Sequence, residues 1–375
     1  MGIDAQERKA LADAVREASA SGPREFLDDG GRPTRDERLW KLLTDQMGLG
    51  ALLVDEANGG AGAGVAEVAV VLEELAAALA VVPALTSLGS STALLRLVDT
   101  EASSVVLQSL AAGDVTATVA WPHAESCDTA TVLTASGDIA VGSSVTVNGH
   151  CDFVLDAGDA EVILAPVSIG EDVVIVSIDT APAGFAAQPM TGLDLTRGLA
   201  AIDVTDATAT VLGSTDLSVA LDVALVLMAA EQVGVAQHCH GAAVTWARER
   251  VQFDRPIGQF QAIKHQLVDL LMHVEMARSA LDVAVGAADR YFAVRDAASA
   301  TALRVAASMA KARCGEAATI VADQSLHILG GIGFTWEHDA HLYLRRAKAL
   351  EVLLGSPAAH RRRSATTLLE EAARG

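Results

Sequence analysis

The middle of this chain has the composition of strands, and the segments on either side have the composition of helices. From about Asp114 to Leu212, Val, Thr, Ile and Asp dominate, with Gly and Pro between short runs. Residues 115–120, 131–134, 144–147, 162–166, 173–178, 200–204 and 209–212 read as strands. Short strands at near-regular spacing predict a compact antiparallel β domain rather than βαβ units. Ahead of them, residues 66–82 are almost continuously Ala, Val, Leu and Glu, good helix formers on balance. A glycine-rich loop at residues 59–64 precedes that helix, and Pro83 ends it. From about Asp216 the chain is helical again. Leu303, Ala306, Ala310, Cys314, Ala317 and Val321 recur at spacings of three and four, the stripe of a packed helix. The predicted class is α+β, in three domains: helical over 1–113, β over 114–214, and a helical bundle over 215–375.

Hydrophobic residues make up 51% of the 375 but aromatics only 3%, so the core must be built from Ala, Val and Leu. That suits closely packed helices. The formal net charge of −21 argues against partners with a polyanionic face, whether nucleic acid or an anionic membrane. It leaves room for an anionic small ligand held by a local basic site. Cys127, Cys151, Cys239 and Cys314 are scattered, without disulfide-framework or metal-ligand spacing. His238 and His240 fall on different helix faces. His338 and His341 can share one, but no carboxylate at metal-site spacing joins them, so no metal is expected. The N-terminus has no basic region leading into an apolar run, and residues 221–230 are too short to span a bilayer. A cytoplasmic protein without membrane insertion is the expectation.

Two C-terminal stretches carry the chemistry. The first is Arg248-Glu249-Arg250-Val251-Gln252-Phe253-Asp254-Arg255-Pro256-Ile257-Gly258, followed closely by Gln261. The second is Gly330-Gly331-Ile332-Gly333-Phe334-Thr335-Trp336-Glu337, running on to Arg345-Arg346-Ala347-Lys348. A guanidinium fork matches phosphate oxygens. Clustered glycines let a ligand or another backbone come close. The glycines follow a helix and lack dinucleotide-fold spacing.

Together these stretches resemble the acyl-CoA dehydrogenase family of flavoproteins. The α–β–α order is similar too: a helical domain, a central β domain and a C-terminal four-helix bundle. The resemblance implies FAD as cofactor and an acyl-CoA as substrate. It also implies electron-transfer flavoprotein as electron acceptor, and a dimer or tetramer formed with itself or with a paralogous subunit. Residues 250–253 look like the family's ERxxFG, which puts Arg250 on the FAD pyrophosphate and Phe253 against the cofactor, with Gln261 just beyond. The glycine turn looks like QxxGGxGF, which puts Gly330 and Gly331 near the FAD of a neighbouring subunit. His327 stands where that motif has Gln. Phe153 stands at the Trp of a W-I-T-N-A segment beside the flavin, and Leu155 replaces its Thr. Ser126 is the small polar residue kept from a TEPxAGSD segment. Asp254 replaces the Gly after Phe253.

The resemblance makes one absence conspicuous. Family members remove the α proton of the thioester with a Glu while hydride leaves the β carbon for the flavin. That Glu needs enough desolvation to raise its pKa, and hydrogen bonds must stabilise the enolate-like oxygen. Its usual position, in YEGT, is occupied here by Leu354. The alternative position, on the helix leading to Arg250, is Ala224. Glu231 lies on the same helical face as Ala224, roughly 10 Å along, and is the candidate for a displaced base. It equally suits a buried polar pair. The leading expectation is a dehydrogenase subunit that works beside a paralogue carrying the Glu. The alternatives are a non-catalytic subunit completing a partner's FAD site, and a flavin monooxygenase of the same fold.

Overall fold

The structure, a computed structural model, describes residues 5–20, 27–28, 33–124 and 126–374. Among the described residues, five α-helices come first: α1 (Ala5–Ser19), α2 (Glu37–Lys41), α3 (Val65–Ala77), α4 (Thr92–Val98) and α5 (Glu101–Ala112). A wide-turned helical segment, Ala84–Ser91, runs directly into α4. The helix expected over 66–82 stops at Ala77, before Pro83, with Leu79 at a φ of 50°.

Seven strands follow: β1 (Ala117–Val119), β2 (Leu133–Gly137), β3 (Ser144–Leu155), β4 (Val162–Ile169), β5 (Asp172–Asp179), β6 (Phe185–Pro189) and β7 (Leu199–Gly213). The two runs expected at 200–204 and 209–212 are one strand, and β6 was not foreseen. The sheet is mixed rather than purely antiparallel. β1 and β2 lie end to end along one edge of β4, both parallel to it. The other pairs are antiparallel, and β5 bonds to both β4 and β7. The path β4–β2–β3–β7–β5 thereby closes on itself, leaving β1 and β6 as its short edge strands. Because β1 and β2 share one edge of β4, the chain between them must leave the sheet. That departure carries Trp121 and Ala124 into the core shared with the helices.

The C-terminal bundle is built on three long helices: α6 (Leu217–Glu249), α7 (Gln261–Val294) and α8 (Ala297–Leu329). α9 (Ala340–Val352) and α10 (Pro357–Arg374) pack onto α8. The predicted stripe is the buried face of α8: Leu303, Ala310, Cys314, Ala317 and Val321 are all inaccessible, and Ala306 is partly covered. α6 is long and apolar enough to cross a membrane, but its most apolar window is wholly buried inside the protein. Gly234 marks where α6 meets α3, since a Cβ there would lie 2.1 Å from the Glu73 carbonyl oxygen.

Candidate functional site

Phe153 sits at a break in the β3–β7 ladder, where the register slips between Cys151 and Val154. Its φ is 59°. Bulges re-aim side chains, and this one leaves 38% of Phe153 exposed. Across from it lies the last turn of α9. Between them is a cleft of about 430 Å³, walled by Phe153, Leu155, Leu193, Leu199, Val352 and Leu353. The cleft narrows inward: Ala124, Phe153, Leu155 and Leu353 wall both parts, while Ala224, Met228 and Leu354 close the inner cavity.

The two positions weighed for the base therefore meet in one place. Ala224 arrives on α6, and Leu354 on the turn after α9. Among the described residues no carboxylate lines this inner cavity; its polar groups are the hydroxyls of Thr86, Ser90 and Thr118.

The turn carrying Leu354 is firmly held. Leu354 has a φ of 57°, uncommon for a side chain of its bulk. Its N–H donates to the Ala124 carbonyl at 2.5 Å. Its own carbonyl accepts from His360 Nε2 at 2.9 Å. Lys311 Nζ donates to the carbonyls of Leu350 (2.9 Å), Glu351 (3.1 Å) and Gly355 (3.3 Å). Both side chains are fully buried. Burial pushes Lys311 down to about 8. Burial, with Lys311 and Arg363 nearby, pushes His360 down to about 3.

Glu231 is not in this cavity. Its Oε1 accepts from Arg197 Nη2 at 2.6 Å, with both side chains more than nine-tenths buried. A carboxylate committed to a guanidinium is poorly placed to take a proton from carbon, so the geometry favours the buried-pair reading over the base. A second pair adjoins it: Arg346 Nε lies 2.5 Å from Asp194 Oδ2. Burial raises the Asp194 carboxyl, but Arg346, Arg197 and the Thr196 hydrogen bonds outweigh it and hold the group below the ordinary range. Asp156 shows the opposite balance. Burial lifts it, despite Arg197 and the Thr86 hydroxyl, which donates to it at 2.7 Å. Sequence reasoning missed Asp194, Arg197 and the role of Arg346. The available signal was two opposite charges, Asp194 and Arg197, in an otherwise uncharged stretch between Gly192 and Gly198.

The other expected cofactor residues form a separate, outward-facing group. Arg250 ends α6 with its guanidinium over Trp246, 5.7 Å from the ring centre. Phe253 is 86% exposed and meets Phe260 edge-on. Gln261 opens α7. Trp246 and Ile332 both pack against Leu326 and Leu329, so the end of α6 carrying Arg250 and the Gly330 turn adjoin one apolar cluster. His327 is exposed and stands edge-on to Phe334. Gly330 has a φ of 69°, and a Cβ on Gly333 would lie 2.8 Å from the Leu326 carbonyl oxygen. Neither demand applies to Gly331, where a Cβ would meet nothing within 4 Å. The open space at Gly331 faces outside the chain's own packing. None of Arg250, Phe253, Gln261, His327, Gly330 or Gly331 walls the cleft at Phe153. Ser126 is half-buried, does not wall it either, and accepts from the Asp128 N–H at 3.1 Å. Its neighbour Glu125 lies outside the described residues.

Comparison with known proteins settles the family. Residues 5–114 match the acyl-CoA dehydrogenase N-terminal domain, and residues 213–369 match the acyl-CoA dehydrogenase C-terminal domain. The acyl-CoA dehydrogenase IpdE2 of Mycolicibacterium smegmatis is 34% identical over 328 residues, covering 88% of this chain and 87% of that protein. The chain belongs to the acyl-CoA dehydrogenase family. The acyl-CoA dehydrogenase FadE27 of Mycobacterium tuberculosis is 29% identical over 369 residues, 98% of this chain and 97% of the relative. Among solved structures, a variant of the Tcur3481-Tcur3483 steroid ACAD superposes with a TM-score of 0.85 at 27% identity, covering 98% of this chain and 99% of that one. The ChsE4-ChsE5 complex from Mycobacterium tuberculosis gives 0.82 at 26%, covering 98% of both chains.

Acyl-CoA dehydrogenases are FAD-dependent oxidoreductases, and the residues here fit a flavin in two separate parts. The bulged Phe153 and the apolar cleft suit a planar ring. The exposed Arg250 and the unfilled space at Gly331 suit a phosphate-bearing tail approached from outside. One departure from the family pattern stands: Leu155 offers the ring no hydroxyl.

Proposed function

We propose that this chain is one subunit of an FAD-dependent acyl-CoA dehydrogenase that oxidises the α,β bond of an acyl-CoA beside a paralogous subunit. The observation that carries the reading is the convergence of Ala224 and Leu354 on one cavity that no carboxylate of the described residues lines. An enolate cannot form there without a group to take the α proton, and this reading assigns that group to another chain. The relatives support the pairing, since two solved neighbours are named as two-component complexes.

FAD, when bound, supplies the hydride acceptor. This chain's residues shape the rest. Phe153, Leu155, Val352 and Leu353 exclude water from the cleft. Arg250 and Gln261, with the exposed Phe253 and the Gly330–Gly331 turn, face outward, where they suit the cofactor tail of a neighbouring subunit. His327 would meet that tail with an imidazole in place of the family's amide. Ser126, two residues from the cleft-lining Ala124, is kept in this reading only as a weaker cofactor contact. In this reading Glu231 does not act as base. Electron-transfer flavoprotein takes the electrons onward, and the four free cysteines support a reducing, cytoplasmic setting.

The test is co-expression with a paralogous acyl-CoA dehydrogenase from the same genome. The expected product is a yellow complex whose flavin band bleaches with an acyl-CoA, and whose bleaching disappears when the paralogue's base Glu is changed to Gln. Full bleaching by this chain alone would overturn the reading.

A further inference from the structure

The wall of the cleft opposite α9 is the segment between β6 and β7. Its ends are anchored by backbone: the Met190 N–H donates to Leu199 O (2.8 Å), and the Asp156 N–H to Gly198 O (3.0 Å). Between them, a single turn at Leu195–Thr196 is the regular backbone feature among the described residues. Side chains tie this stretch to the helices, and the buried ones that do so are mostly charged. Arg346, fully buried on α9, reaches across with two of its guanidinium nitrogens. Nε meets the Asp194 carboxylate, and Nη2 donates to Thr196 O (3.0 Å) and Thr196 Oγ1 (2.5 Å). The Thr196 hydroxyl and N–H in turn both donate to Asp194 Oδ1, at 2.6 and 2.9 Å. In the reverse sense, Arg197 leaves the segment to meet Glu231 on α6. Arg345 adds a longer bond to the Leu193 carbonyl. Each side of the junction thus gives one arginine and one carboxylate.

We propose that Arg346–Asp194 and Arg197–Glu231 form a reciprocal clamp that sets the width of the cleft, making Arg346 and Glu231 positioning residues for whatever ring lies against Phe153. Asp194 and Arg197 line the cleft, and Leu350, one turn after Arg346, lines the other side. A guanidinium paired with a carboxylate through one nitrogen while another donates to a carbonyl and a hydroxyl fixes direction as well as distance. An ammonium on a flexible stem does not. The role of the clamp in holding the flavin rests on the functional reading above. Its role in holding the segment does not.

The experiment uses the co-expressed complex, with Arg346→Lys and Glu231→Gln, one from each half of the clamp. Hydrogen–deuterium exchange is read peptide by peptide, and the dissociation constant of added FAD is read from its fluorescence. Each variant is expected to speed exchange about tenfold in the 191–197 peptide at the Thr196 N–H, which Asp194 holds, while α7 and α8 keep their protection. Each should weaken FAD binding by a similar factor. Unchanged exchange at 191–197 in both variants overturns the clamp, and so does equal acceleration throughout the chain. Faster local exchange with unaltered FAD affinity overturns its cofactor role alone. A wild-type complex that takes up no FAD sinks the functional reading, while the exchange data still decide the clamp.

Discussion

Lys311 and His360 are two cation-formers buried around a single turn, and each is held neutral-leaning by its surroundings. His360 has a folded pKa of about 3 against an ordinary 6.5. The unfolded chain therefore binds a proton that the native state refuses, and the stabilisation present above pH 6.5 drains away as pH falls towards 3. Urea midpoints measured down that range should drop steeply for the wild type. His360→Asn, which keeps a donor for Leu354 but cannot be protonated, should flatten the drop. Lys311 works in the alkaline range. Its folded value of about 8 against 10.5 means that stability rises between those pH values, by about 3 kcal/mol if fully expressed. Lys311→Met should abolish that rise, and a wild type flat over the same interval would show that the ammonium is better solvated than its burial implies. Leu354→Glu carries a related expectation. A carboxyl inserted there meets no cation among the described residues lining its cavity, so its pKa rises and the protein loses stability as pH climbs past the ordinary glutamate value. That loss should be visible in the same titration. None of this was legible in the sequence. Lys311 is one polar residue in an alanine-rich helix, and only the fold shows that α9 ends its carbonyls on it.

The helices and most strands were legible at the level of elements, because their periods come from which side chains face the core. The α8 stripe is the clearest case: alanine and cysteine at three- and four-residue spacing leave room for α6 and α7 on either side. What periodicity could not show was closure of the sheet. The parallel pairing of β1 and β2 along β4 depends on contacts between distant residues. The bulge at Phe153 depends on a register shift that no local pattern encodes. β6 escaped notice because Phe185–Pro189 is a short edge strand ending in proline. Gly234 belongs to the same class of long-range facts. Within α6 it looks like a weak helix residue, worth about 1 kcal/mol against alanine by propensity. Its Cβ position is filled by the Glu73 carbonyl oxygen. Gly234→Ala should therefore destabilise rather than stabilise, by about 1–3 kcal/mol through separation of α3 from α6. Denaturant unfolding measures it, and a stabilised variant would mean the two helices can move apart at no cost.

Across the whole molecule, the family motifs were readable but their grouping was not. Sequence placed Phe153 and Arg250 on one cofactor. The fold puts the first on an inner cleft and the second on an outer face crowded with exposed apolar surface, including Phe253, Phe334 and Trp336. This division suits a cofactor shared between chains, and it yields a clean separation of stability from binding. Arg250 is exposed and makes no ion pair among the described residues; its contact is with the Trp246 ring. Removing it should cost the fold less than about 0.5 kcal/mol, as for surface positions generally. If its guanidinium holds the phosphates of a flavin seated in the neighbouring subunit, Arg250→Ala should nonetheless lower the flavin content of the assembled complex severalfold. Arg250→Lys should recover only part of it, because an ammonium does not reproduce the fork. Visible absorbance per subunit, read beside thermal unfolding of the chain alone, tests both halves together. Full flavin in Arg250→Ala would take the outer face out of cofactor binding and leave it as a surface for protein contact. Reduced flavin at an unchanged melting temperature would mean that the chain's most motif-rich segment serves a site outside its own fold.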